Sequence, residues 1–410
     1  MTASDLRPDN VYVWTWLPGE TGPVVVGEVQ QRGGRFVFSY ADSYLRRSDA
    51  VSLYEPEVCL QHSGIERLEG LALPGALRDG SPDFWGRHVI ETTRGVDYSA
   101  ISELGYLLAS GSNRFGALDF QASKTEYIPR RTVAPLDELT HAASLLQQKQ
   151  PLSDSLGAAL VHGTTIGGAR PKVLFDRGDE HWIAKLPSPS DASFSVIGAE
   201  AVAMRLARAA GLDVADTEIA VSNGQEVLLV RRFDRGPGGV RHHTVSGLTI
   251  AGEDEMYARY VTYPMLLDML RQRGADPASV GQELFRRIAY SIAISNSDDH
   301  ARNHTAFWDG RRLTLTPAYD LTPGPRSGET ATQAMAYNRE GTKISNFAVL
   351  LTSAPIYDLS QRQGRHIIEK VIAAINDGWE DAADAARLSV DDCSLLWGHQ
   401  FLNPAALYDF

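Results

Sequence analysis

The stretch NSDDHARN at 296–303 puts six polar side chains in eight positions: Asn296, Asp298, Asp299, His300, Arg302 and Asn303. Asp298 and Asn303 are spaced D-x-x-x-x-N, so a tight loop can turn both into one cleft. A carboxylate there can accept a proton from an incoming hydroxyl. An amide oxygen beside it can bind a divalent cation. A second acid, Asp320, follows in YDL at 319–321. A base plus an amide–carboxylate cation site is the set that moves a phosphoryl group onto a hydroxyl.

The spacing alone recurs by chance; the order of elements around it is more specific. A helical pattern at 280–295 precedes the loop, and strand-like stretches near 304–308 and 312–316 flank the turn pair Asp309-Gly310. Helix, acidic loop, hairpin and second acid is the order that surrounds the catalytic loop of protein kinases. The upstream half fits the same scheme. In GTTIGGARPK at 163–172, Gly167 and Gly168 permit close approach of backbone to phosphate. This loop is neither a Walker A sequence nor G-x-G-x-x-G. Lys185 sits in the apolar strand pattern WIAKL at 182–186, suited to the α- and β-phosphates, and Glu200 lies on the next helix, suited to pair with it. LLVRRFD at 228–234 stands where a connector between two lobes would contact adenine.

These residues need a scaffold, and the rest of the chain supplies one. Strand patterns at 11–16, 23–30 and 35–40, turn signals followed by a short helix within 74–93, a helix at 101–111 and a strand at 116–122 predict a β-rich unit over 1–125. A helix at 135–150, strands at 172–175 and 181–186, an amphipathic helix at 196–212 and strands at 215–223 and 225–234 predict a nucleotide-binding lobe over 126–235. From 236 to 410, helix signals at 263–274, 277–296 and 359–379 dominate, apart from the 304–317 hairpin. The expected fold class is α+β: a two-lobed protein-kinase-like fold with a β-rich amino-terminal subdomain and an α-rich carboxy-terminal lobe.

Composition narrows the options. The chain has 410 residues, 43% of them hydrophobic and 22% charged, an ordinary globular balance. A formal net charge of -12 argues against bulk affinity for nucleic acid. The two cysteines, Cys59 and Cys393, form no metal or redox motif and read as reduced thiols. The start lacks an export-signal pattern and no stretch of about 18 apolar residues occurs. A cytoplasmic protein without a membrane span is expected.

The chain resembles the HipA family of bacterial serine/threonine kinases, the toxins of type II toxin–antitoxin systems. The resemblance is carried by RFVFSYADSYLRR at 35–47, LPGALRDGSPDFWGRHVIE at 73–91, TIGGARPKVLF at 165–175, IAKLP at 183–187, VRRFDR at 230–235, DDHARN at 298–303 and PAYDL at 317–321. It implies ATP and Mg²⁺ as cofactors and Asp298 as proton acceptor. Gly167, Gly168, Ala169, Arg170, Pro171 and Lys172 would cover the nucleotide, and Lys185 would hold its phosphates. Arg231, Arg232 and Phe233 would line the adenine side by backbone and side chain. His300, Ala301, Arg302, Asn303, Tyr319 and Asp320 would complete the site, with Asn303 and Asp320 on the metal. Thr165 stands where the family autophosphorylates a serine, and Arg231 stands where many relatives have Glu. The family also implies a protein substrate, with aminoacyl-tRNA synthetases as known targets, and a small helix-turn-helix antitoxin through which DNA is reached indirectly.

From the residues alone, several roles stay open. Asp299 fits a solvated or structural neighbour, His300 a loop-fixing hydrogen bond or proton transfer, Arg302 a phosphate or a surface acid, and Glu200 a Lys partner or a solvated helix acid. Two other functions compete: a small-molecule phosphotransferase, which would commonly carry His-Gly-Asp where Asn296-Ser297-Asp298 stand, and a catalytically inactive regulator.

Overall fold

The computed structural model describes residues 6–66, 73–163, 170–189, 191, 193–326 and 329–410. Thr165, Gly167, Gly168 and Ala169 therefore lie outside the described residues.

The first sheet is antiparallel, in the order β4-β3-β2-β1-β5, from β1 (Asn10–Trp16), β2 (Pro23–Arg32), β3 (Arg35–Tyr40), β4 (Ile65–Glu66) and β5 (Leu118–Gln121). Val11 and Val13 on β1 and Phe36 and Phe38 on β3, at alternate positions, turn inward with Val26 and Val29 of β2, where a register shift between β1 and β2 breaks the alternation. Gly27 is needed where β2 meets β3: a Cβ there would stand 2.1 Å from the Ser39 carbonyl oxygen.

The second sheet, β6-β7-β9-β8, carries the upstream half of the site. It consists of β6 (Lys172–Arg177), β7 (Glu180–Lys185), β8 (Thr217–Ser222) and β9 (Gln225–Arg231), all antiparallel. The amphipathic pattern at 196–212 forms the helix Val196–Ala209, capped by Ser195 and released at Gly211 in the left-handed region (φ +85°). The helices Phe84–Arg94 and Glu103–Ala109 share a core with this sheet: Trp85, Val89 and Tyr106 pack with Leu160, Val173 and Trp182.

The carboxy-terminal part is mainly helical, with long buried faces on Tyr263–Arg273, Val280–Ala293 and Gln361–Ala385. Gln361–Ala385 packs on both Val280–Ala293 and Val196–Ala209, which joins the two lobes. The hairpin β11 (Thr305–Trp308) and β12 (Leu313–Leu315) gains a third strand, β10 (Thr244–Ser246). That strand was not legible: three residues are too few to show a period. The helix Asp154–His162 was also missed, being short and rich in small residues.

Buried ionic groups bind the amino-terminal subdomain to the kinase-like body. The Arg232 guanidinium holds Asp234 at 2.7 Å and donates to the Arg114 carbonyl oxygen at 2.7 Å. Arg235 holds the same Asp234 at 2.7 Å, and the Gly116 N–H donates to it at 2.7 Å. Arg114 pairs with Asp119 at 2.9 Å, and both are fully buried. Removing one partner of such a pair costs about 3–5 kcal/mol, because a buried charge is left uncompensated.

Candidate active site

The helix Val280–Ala293 delivers the chain into the acidic loop through Ser295, which adopts a left-handed conformation (φ +53°). Asp299, the acid after Asp298, is the anchor. Its carboxylate is buried, accepts from the Tyr263 hydroxyl and from Ser291 Oγ (2.9 Å), and lies 2.9 Å from His304 Nε2. Burial would raise its carboxyl, but the His304 ring and these donors hold it below the usual carboxylate range. The structural reading of Asp299 is thus the observed one. With Asp299 fixed inward, Asp298 is exposed at the loop surface, open to an incoming group. Asn303 Nδ2 donates to the Asp298 carbonyl oxygen at 3.2 Å, so the amide nitrogen serves the loop and its oxygen is the atom suited to a cation.

Asp320 follows the hairpin in a left-handed conformation (φ +60°). Two residues before it, Ala318 is fixed by two backbone hydrogen bonds to the nucleotide lobe, Ala318 N–H to Asp213 O (2.8 Å) and Ala215 N–H to Ala318 O (3.0 Å). The pairing of β6 with β7 sets Lys172 directly opposite Lys185, so both ammonium groups share one face of the sheet. Like charges side by side repel unless anions lie between them. The anions are present: Lys185 Nζ donates to both Glu200 Oε1 and Asp320 Oδ1.

Glu200 is 2% exposed, Lys185 11% and Asp320 35% by side chain, so the trio is closed at the helix and open at the cleft. Burial alone would raise the Asp320 carboxyl; the ammonium groups of Lys185 and Lys172 overturn this and hold it well below the usual range. Burial works against the Lys185 charge too, and Asp320 and Glu200 more than restore it. Lys172 is pulled down by burial despite Asp320 and Asp83. Glu200 is therefore the Lys partner, not a solvated acid.

Phe233 of the connector packs edge-on to Phe115 (5.5 Å between centroids) and against Tyr319 (5.7 Å). The Tyr319 hydroxyl donates to the Arg302 carbonyl oxygen at 2.8 Å, tying this aromatic group to the loop. The expectation for Arg232 needs correction at its side chain. The guanidinium does not line the adenine side, because it is fully buried against Asp234, Asn113 and Arg114. Arg231 is half exposed and holds Glu180 at 3.1 Å. Arg170 pairs with Asp191, and Pro171 offers its carbonyl oxygen to the Leu186 N–H (3.0 Å). Ala301 is buried beneath the loop. His300 Nδ1 is buried without a hydrogen-bond partner among the described residues, and Arg302 meets the surface acid Glu255 at 2.6 Å.

The donors fit a magnesium ion shared with phosphates. Among the described residues no group of three or more His, Cys, Asp or Glu could hold a metal unaided. One carboxylate plus one amide leaves coordination places for substrate oxygens and water, as Mg²⁺ requires. The residues that sequence reasoning missed around the site are Phe115, Tyr263, His304 and Asp83. Phe115, Tyr263 and Asp83 reach it through tertiary packing from far along the chain, whereas His304 directly follows the loop and turns back onto Asp299.

Two family models match. The HipA-like C-terminal domain covers residues 164–379 and the HipA N-terminal domain residues 20–121. The chain belongs to the HipA family. This HipA-family chain is 26% identical over 329 residues to Y4mE of Sinorhizobium fredii, spanning 72% of this chain and 74% of that protein. It is 27% identical over 183 residues to the serine/threonine-protein kinase toxin HipA of Shewanella oneidensis, spanning 38% of this chain and 42% of the toxin. Among solved structures, HipA from the Shewanella oneidensis complex of HipA, HipB and operator DNA aligns with a TM-score of 0.67 at 18% identity, over 93% of this chain and 94% of that one. The shared fold is protein-kinase-like, with mixed helix and sheet. Among the described residues no helix is long and apolar enough to cross a membrane.

Proposed function

We propose that this HipA-family chain is an ATP-dependent serine/threonine protein kinase that transfers the γ-phosphoryl group to a protein hydroxyl. The observation that carries this reading is Lys185, which reaches from β7 to Glu200 on its own lobe and Asp320 on the other. In a kinase, that Lys–Glu pair and the metal-binding Asp must be in place together for transfer.

The roles follow from the chemistry of each group. Lys185 and Lys172 neutralise phosphate oxygens from the sheet side. Asn303 and Asp320 would hold Mg²⁺, which neutralises charge developing on the transferred group. Asp298, exposed at the loop, accepts the proton of the attacking hydroxyl. Phe233 and Tyr319 supply an apolar wall beside the connector, suited to a purine. Thr165 is the proposed site of autophosphorylation, by which the chain silences itself.

The proposed setting is cytoplasmic. A small helix-turn-helix antitoxin would hold the kinase and link it to DNA, and a neighbouring fold seen in complex with HipB and operator DNA supports this. The protein substrate belongs to the class of aminoacyl-tRNA synthetases on the strength of the family resemblance alone.

The test is incubation of the purified chain with γ-labelled ATP and Mg²⁺, alone and with a cell lysate. Label on protein supports the proposal. Label only on small metabolites replaces it with a small-molecule phosphotransferase. Nucleotide binding without turnover replaces it with an inactive regulator.

A further inference from the structure

The segment 78–85 of the amino-terminal subdomain touches both lobes. Toward the carboxy-terminal lobe, Arg78 donates to the Glu253 carbonyl oxygen (3.0 Å), and Asp79 accepts from Ser246 N–H (2.7 Å) and Thr249 Oγ1 (2.8 Å). Toward the nucleotide lobe, Trp85 Nε1 donates to the Lys172 carbonyl oxygen (3.1 Å). Between these anchors stands Asp83. It occupies the N-cap position of the helix Phe84–Arg94, where the Gly86 N–H helps to stabilise its carboxylate. Its Oδ1 is buried and lacks a hydrogen-bond partner among the described residues. Burial pushes its carboxyl up to about 6, while Lys172 from one lobe and Arg302 from the other pull it down.

Arg302 has the complementary deficit. One end of its guanidinium holds Glu255 at the surface, but its Nε is buried without a hydrogen-bond partner among the described residues. A buried acceptor and a buried donor, on groups of opposite charge that attract each other, are both unmet. Buried polar atoms are satisfied in most folded proteins, so each such exception calls for a reason. Arg87, the other cation near Asp83, is already committed to Glu103 by bonds of 2.6 and 2.7 Å.

We propose that Asp83 is a positioning residue for phosphoryl transfer: its carboxylate draws in the Arg302 guanidinium and so aligns the 298–303 loop with Lys172 across the cleft. This rests on the reading of 298–303 as the loop that transfers phosphate. Asp83 touches neither nucleotide nor acceptor; it acts through Arg302. The amino-terminal subdomain is then part of the machinery.

The test is a double-mutant cycle with Asp83→Asn, Arg302→Gln and the pair, measured both in thermal melting without nucleotide and in steady-state kinetics. In melting, the loss caused by Arg302→Gln is expected to shrink when Asp83 is already Asn, because the charge that Arg302 compensates has gone. In kinetics, Asp83→Asn lowers kcat about tenfold or more with the KM for ATP within about twofold, as expected for lost alignment. Asp83→Glu recovers part of the loss. Independent, additive melting shifts would overturn the pair, whatever the activity. Coupled melting with unchanged kcat would overturn the positioning role. If the wild-type chain itself transfers no phosphate, the kinase reading fails and the positioning role with it, while the melting cycle still judges the pair.

Discussion

Replacing Lys185 by Met removes the ammonium that joins Glu200 to Asp320 while keeping much of the side-chain volume. Two carboxylates then face each other with their nearer cation gone. Breaking a buried pair from one side costs about 3–5 kcal/mol. The 35% exposure of Asp320 places the cost at the low end, about 3 kcal/mol. With an unfolding entropy of roughly 2.1 cal/mol/K per residue, the melting temperature of the 410-residue chain falls by about 3–4 °C if it unfolds as one unit. The pH dependence has a definite sign. Asp320 is held below the usual range by Lys185 and Lys172, so its contribution is complete above the unfolded value of about 3.9 and is lost as pH falls through its folded value. In the variant the Asp320 carboxyl rises and takes up a proton more readily. The gap between wild type and variant is therefore largest near pH 7 and narrows toward pH 4. Calorimetry at both values measures it. A loss under about 1 °C at pH 7, or a gap that widens toward pH 4, would refute the claim that this trio is a mutually compensated buried cluster.

Other changes separate the remaining roles. Asp298→Asn abolishes phosphoryl transfer yet leaves the melting temperature and binding of a fluorescent ATP analogue largely unchanged, since Asp298 is exposed; near-normal transfer would remove it from the base role. Intact-mass and peptide mapping of the chain incubated with Mg-ATP place phosphate on Thr165, and Thr165→Ala abolishes that label; phosphate only on Thr164, or none, would reject the assignment. Asp234→Ala destabilises the fold by about 3–5 kcal/mol, because Arg232 and Arg235 lose a shared, fully buried partner, and urea unfolding reads the loss directly. Chelation of Mg²⁺ by EDTA stops transfer without changing the melting temperature of the nucleotide-free chain, since the donors of Asn303 and Asp320 form no cation site unaided.

Much of the fold was legible because its elements carry long local signals. The period of β1 to β3, the amphipathic helix Val196–Ala209 and the Asp309-Gly310 hairpin turn each announce themselves within a dozen residues. The line-up of Lys185, Glu200 and Asp320 was legible only through the order of motifs, since 135 positions separate Lys185 from Asp320. Arg232 was misplaced for a physical reason. Its backbone belongs to the connector, but a guanidinium can reach several ångströms to either side, and here a buried Asp two residues on captures it. Asp83 was beyond reach because burial decides its character, and the charged groups around it, Lys172 and Arg302, lie far along the chain.

The arginines that meet at Asp234 set a rule for anyone exchanging parts between relatives. Arg114 and Gly116 come from the amino-terminal subdomain, whereas Arg232, Asp234 and Arg235 come from the connector. A chimera that joins the front of one homologue to the body of another inherits half of this cluster from each parent. The ion pairs themselves stay within each parent, and what crosses the seam is hydrogen bonding to the Arg114 and Gly116 backbone. Unless that backbone sits where the buried side chains need it, a charged group far from solvent is left short of a hydrogen bond. Successful grafts will be those in which residues 112–121 and 231–235 travel together.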